Sequence, residues 1–169
     1  SNAIAIGYDA GENFQANNAI AIGQQAGRTD QSGNAIAIGP RAGNSSQEPG
    51  CIAIGQNAGA TSQGNNDPSA NSIAIGVQAG ADTQGAGSIA MGELAGNRDQ
   101  SNNAIAIGTR AGEGPNTFGS TNPGQRINAI AIGLSAGRLE QGESAIAIGT
   151  TAGQGTATGN GQKDYAIAI

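Results

Sequence analysis

The chain has 169 residues, a formal net charge of −5, no histidine, no tryptophan, one cysteine, four tyrosines and phenylalanines together, and 30 glycines. The lack of histidine excludes His-based triads and histidine zinc sites, the lone cysteine excludes an internal disulfide framework, and the missing basic patch argues against nucleic acid. The apolar content is almost all Ala and Ile and only 11% of residues are charged, so the composition points to a thin structure with close backbones, neither an aromatic-filled globule nor a disordered chain.

The first element is Ala-Ile-Ala-Ile-Gly at Ala3, and it returns at Ala19, Ala35, Cys51, Ser72, Ser88, Ala104, Ala129, Ala145 and Ala166. The spacing is 16 residues, lengthened three times, to 21, 25 and 21. Ser1-Asn2-Ala3 reads equally as part of the repeat or as a cloning scar. The first isoleucine is present in all ten copies: Ile4, Ile20, Ile36, Ile52, Ile73, Ile89, Ile105, Ile130, Ile146 and Ile167. The second is replaced once, by Met91. Period-two alternation of a small and a β-branched residue predicts a strand with Ala on one face and Ile on the other.

Glycine closes the run in all nine complete copies, two variable residues follow, and Ala-Gly comes next in all nine. These glycines suit corners. Gln stands four residues beyond the Ala-Gly glycine in seven copies: Gln15, Gln31, Gln47, Gln63, Gln84, Gln100 and Gln141. The rest of each unit is Asn, Ser, Thr, Asp and Gly, which is loop chemistry. One unit is therefore expected to make one coil, running strand, corner, short strand, corner, polar loop. The Gln side chains are expected to share an edge of that loop and to hydrogen-bond along the stack or to the loop backbone.

Ordering 16 residues costs about 16–32 kcal/mol, while burying two Ile returns about 3–6 kcal/mol. A lone coil cannot stand, so the coils must stack, about 4.8 Å per step, into a rod of about 45–50 Å. The fold expected is all-β: a parallel β-solenoid of about ten 16-residue coils forming one domain over residues 1–169. An Ala-filled interior leaves an Ile stripe outside, and an Ile-filled interior leaves an Ala stripe. Either stripe runs the length of the rod, and a symmetric homo-oligomer is the simplest cover for it. The chain starts on a strand and stops mid-repeat at Ile169; with no polar cap at either end, flanking segments are expected to continue the fibre.

The unit Asn-Ala-Ile-Ala-Ile-Gly followed by Ala-Gly resembles the head repeats of YadA-like trimeric autotransporter adhesins, and is similar to repeats of viral and phage fibre proteins. The resemblance spans all ten copies. It implies a left-handed β-roll, a parallel homotrimer, an extracellular place on a cell or virion surface, and attachment to a host-surface protein or glycan receptor. It carries over no catalytic residue.

A search for chemistry gives no catalytic, cofactor or metal residue. No Gly-Lys-Ser or Gly-Lys-Thr occurs among the periodic glycines, so no phosphate loop is expected. The calcium signature is absent as well. Cys51 stands where other copies have Ala or Ser and reads as a small buried hydrophobe. Glu12, Asp30, Asp82, Asp99 and Glu140 read as solvated loop charges. Asn44-Ser45-Ser46 has the form of a glycosylation sequon, expected by chance in so Asn- and Ser-rich a chain.

No apolar run approaches the roughly 20 residues of a membrane helix, so no membrane insertion is expected of this segment. The insertions, at 64–71, 113–128 and 154–165, all read as additions to the polar loop, projecting from one edge. Phe118, Arg126, Lys163 and Tyr165 within them are the candidate recognition residues, alongside Pro68, Pro115 and Pro123. The function expected is a structural and adhesive fibre segment with no enzymatic activity. The alternative is a solenoid that binds an extended surface such as ice or a polysaccharide. The pairs after the corner glycine, from Tyr8-Asp9 to Thr150-Thr151, are too irregular to favour it.

Overall fold

The structure is a computed structural model and describes residues 2–64, 67, 70–115, 124–156 and 161–169. Each Ile-Ala-Ile segment is a strand, and ten of them stack in chain order into one parallel sheet, from Ile4–Ile6 to Ile167–Ala168. The register places like on like: Ile20 on Ile36, Ala21 on Ala37, Ile22 on Ile38. The lengthened spacings do not disturb it, since Ile105 still meets Ile130 across the 25-residue step. Among the described residues there is no helix. The chain is a parallel β-solenoid.

The polar part of the unit is not a loop. It forms a second parallel sheet of six strands, from Asn13–Gln15 to Arg98–Gln100. This sheet continues as single bridges from Gln125 to Gln141 and from Gln141 to Gln162. The short strand expected after the corner glycine is instead a turn, in which the Ala26 amide donates to the Gly23 carbonyl. Hydrophilic composition suggested a loop. Stacking overrides it, because a polar backbone gains the same inter-coil bonds as an apolar one.

Two tight turns join the sheets in a regular coil. One runs from Gly23 to Ala26, and the other from Ala16 to Ala19, closed by a bond from the Ala19 amide to the Ala16 carbonyl. Each carries a left-handed residue at its third position, Gln25 (φ 57°) and Asn18 (φ 60°). Asn tolerates this region better than most residues. That explains why Asn precedes the small residue at Asn18, Asn34, Asn103 and Asn128, all with φ between 57° and 60°.

The interior is filled by Ala. Ala21, Ala26, Ala37 and Ala42 and their equivalents in the inner coils are fully buried in one continuous column. The isoleucines of the first sheet point outward: in the inner coils the first Ile is half-buried, and the second is half-buried or exposed, Ile54 at 36% and Ile148 at 41%. Of the two stripes considered from the sequence, the outer one is therefore Ile. The reason is steric. Two sheets this close leave room for methyl groups and one long side chain per coil, and that side chain is Gln.

The insertions enter the unit at two different points, and the edge from which they were expected to project lies largely outside the described residues. Segment 64–71 follows Gln63, between a second-sheet strand and the next first-sheet strand. In the other two, the added residues precede Gln125 and Gln162. Phe118, Pro68 and Pro123 lie outside the described residues.

Candidate functional site

Among the described residues the largest fully buried side chains are glutamines. Each reaches from the second sheet across the coil to the first. The Gln31 amide nitrogen donates to the Ile20 carbonyl at 2.8 Å and to the Gln47 Oε1 of the next coil at 3.1 Å, with a longer contact of 3.4 Å to the Ala35 carbonyl. The chain of amides runs unbroken from Gln15 through Gln31 and Gln47 to Gln63. It resumes from Gln100 to Gln125 and from Gln141 to Gln162. Between these stretches the Oε1 atoms of Gln84, Gln100 and Gln141 have no hydrogen-bond partner.

These Gln side chains therefore lie inside the coil, not on a loop edge, and the reason is energetic. A buried amide without partners costs several kcal/mol, but here Nε2 meets a backbone carbonyl in every coil. The Ala-Gly glycine makes the space, since a Cβ on Gly43 would sit 2.7 Å from the Gln47 Oε1.

Counting forward from Ala-Gly missed two members of the column, Gln125 and Gln162. Counting four residues back from the small residue that opens each Ile-Ala-Ile strand finds both. It misses only Gln63, because there the insertion follows the glutamine.

Cys51 is fully buried within 3.1 Å of the Ser72 hydroxyl of the next coil. Burial pushes its thiol pKa up, partly offset by the Ser72 hydrogen bond. Reaction requires the thiolate and access to it. Iodoacetamide at pH 8 is therefore expected to leave Cys51 unmodified in the folded chain and to modify it fully in urea, as read by intact mass. Modification at equal rates in both conditions would place this coil open to solvent.

Three of the acids read as solvated charges pair with arginines of neighbouring coils. Glu12 meets Arg28 at 2.6 Å, Asp82 meets Arg98 at 3.6 Å, and Glu140 meets Arg126 at 3.9 Å. The bond to Glu12 raises the Arg28 pKa further above its ordinary value. Asp30 and Asp99 stay exposed. A fourth pair, Glu113 with Arg138 at 2.6 Å, is more buried. In three of these pairs, Glu12–Arg28, Asp82–Arg98 and Glu113–Arg138, stacking brings the same unit position of successive coils face to face, whereas Arg126 and Glu140 come from different positions of the unit.

Of the candidate recognition residues, the structure brings Arg126 and Lys163 together around one surface hollow. Tyr165 stands apart from that lining. It occupies the turn position held by Asn in most other coils, at φ 58°, and is 73% exposed. Among the described residues no three His, Cys, Asp or Glu side chains converge as a metal site, and no helix is long and apolar enough to cross a membrane. Comparison with protein-family models, curated proteins and solved structures finds no match.

Proposed function

We propose that the chain is a structural and adhesive segment of a surface-exposed fibre, a bacterial adhesin head or a viral or phage fibre. It works by shape and multivalent contact, without catalysis. The observation that carries this reading is the outward Ile face. Ten strands in register present two columns of isoleucine along one side of a rod whose interior is already filled. An apolar stripe of that length is an association surface. Three parallel copies around one axis cover it and turn a thin rod into a stiff fibre. The likeness of the repeat to adhesin heads favours the same arrangement and an extracellular location. Repeated coils then offer identical contacts to a host-surface protein or glycan, and avidity makes weak contacts strong.

Ile75→Asp and Ile107→Asp, made singly, test the interface. Both side chains face outward, so the coil itself tolerates the change, while a charge facing the shared axis does not. Light scattering is expected to show the mass of each variant falling to one chain, with the β-sheet circular dichroism retained. Variants that keep the wild-type mass would remove the Ile face from the interface.

A further inference from the structure

A surface hollow of about 390 Å³ lies where Arg126, near the end of the second insertion, and Lys163, near the end of the third, flank the coil of Glu140. Its lining is Arg126, Glu140, Gly142, Gln162, Lys163 and Asp164. The coil backbone fixes its walls: the Arg126 amide donates to the Gln141 carbonyl, and the Gly142 amide to the Gln162 carbonyl at 2.7 Å. Asp164 is anchored by accepting the Glu143 amide at 2.8 Å.

The ion pair inside the hollow differs from the two tight pairs elsewhere on the rod. Glu12–Arg28 and Glu113–Arg138 close to 2.6 Å. Arg126 and Glu140 stand 3.9 Å apart. One donor and one acceptor are left over: Arg126 Nε and Glu140 Oε2 are buried and have no hydrogen-bond partner. Buried polar atoms are rarely left so.

We propose that this hollow is a binding site for a neutral saccharide unit, held through neighbouring hydroxyl groups. As the side chains stand both atoms are shielded from water, so a ligand reaches them by turning Arg126 and Glu140 toward it, and it must then accept from Arg126 Nε and donate to Glu140 Oε2. A hydroxyl does both, and a vicinal diol serves the second pair, Lys163 and Asp164, in the same way. An anion meets the carboxylates of Glu140 and Asp164. A cation meets Arg126 and Lys163. An apolar group leaves the orphaned atoms unpaired. A peptide amide offers a donor and an acceptor, but its side chains find no apolar seat in this lining. The volume falls at the small end of ligand sites, roughly 300–1,000 Å³, which suits one sugar ring. The site deepens the attachment reading and rests on it for its use, whereas binding itself needs only one chain.

The test is amide chemical-shift titration of the full chain with methyl α-mannoside, methyl β-galactoside and N-acetylglucosamine. N-acetylneuraminate and triglycine serve as separate arms. Saturable shifts centred on Gly142 and Lys163 are expected with at least one neutral sugar. Arg126→Ala and Glu140→Ala are expected to bind roughly tenfold more weakly, with Lys163→Ala, at an exposed position, as a third variant that leaves the coil interior untouched. Arg41→Ala, far along the rod, should bind as the wild type does.

The proposal is overturned by no saturable shift with any neutral sugar at about 0.1 M, two decades above a millimolar Kd. Shifts with only the acidic sugar or only triglycine overturn it too, as do shifts that all three hollow variants leave unchanged. A single-chain mass with sugar bound would sink the trimer and keep the site. A trimer without sugar binding would sink the site alone.

Discussion

Gln47→Glu is expected to destabilise the rod by about 4 kcal/mol at neutral pH, the size seen when a buried charge is left without a partner. The side chain at 47 donates to the carbonyls of Ile36 at 2.8 Å and Cys51 at 3.3 Å and to Gln63 Oε1 at 3.0 Å. A carboxylate cannot donate, and it faces three oxygens in a dry interior. Its pKa in the folded state must rise above the unfolded value of about 4.3. The folded state then binds more protons, so stability is regained as pH falls and lost as pH rises through the raised folded value. Protonated, the side chain again donates one bond.

Wild type moves slightly the same way, because partial burial, and secondarily Asp67, push the Glu48 carboxyl up. The quantity to measure is therefore the difference between variant and wild type, by urea unfolding at pH 4 and pH 7. Gln47→Leu should lose stability without this pH dependence. An exposed Gln47 would instead give a Glu variant equal to wild type at both pH values.

Gly39→Ala is the second large effect, with an expected loss of at least about 3 kcal/mol. Gly39 has φ +119°, and a Cβ there would sit 2.9 Å from the backbone of Gly55 in the next coil. The neighbour is main chain and cannot rotate away, so two coils must shift together. In contrast, Thr109→Ala, one residue beyond the equivalent corner and exposed, is expected to change thermal stability by less than about 0.5 kcal/mol. Equal melting temperatures for the two variants would contradict the close stacking of corner on corner.

The ten strands of the first sheet were legible because Ala-Ile-Ala-Ile alternates with period two and returns every 16 residues. Residue type and spacing act together there, and the insertions cannot hide them. The second sheet was not legible. Segments such as Thr29–Gln31 and Ser45–Gln47 carry loop residues, and they become strands only because identical segments lie above and below. The regularity of Gln was visible, but its burial was not. Amide side chains are usually solvated, and nothing within one unit tells that Ile20 O and Gln47 Oε1 will be waiting inside. Whether Ala or Ile filled the coil depended on how far apart the sheets stand. The hollow joins Arg126, Glu140 and Lys163 from three coils, two of them displaced by insertions, so no fixed spacing could point to it.

The central claim is that the outward Ile face is covered by two further copies of the chain. Light scattering of the folded wild-type chain at micromolar concentration tests it most directly. One chain has a mass of 16.4 kDa. The account predicts a species of three times 16.4 kDa that holds its mass on dilution. A fully folded rod that stays at 16.4 kDa would contradict it, and the attachment mechanism built on the trimer would fall with it.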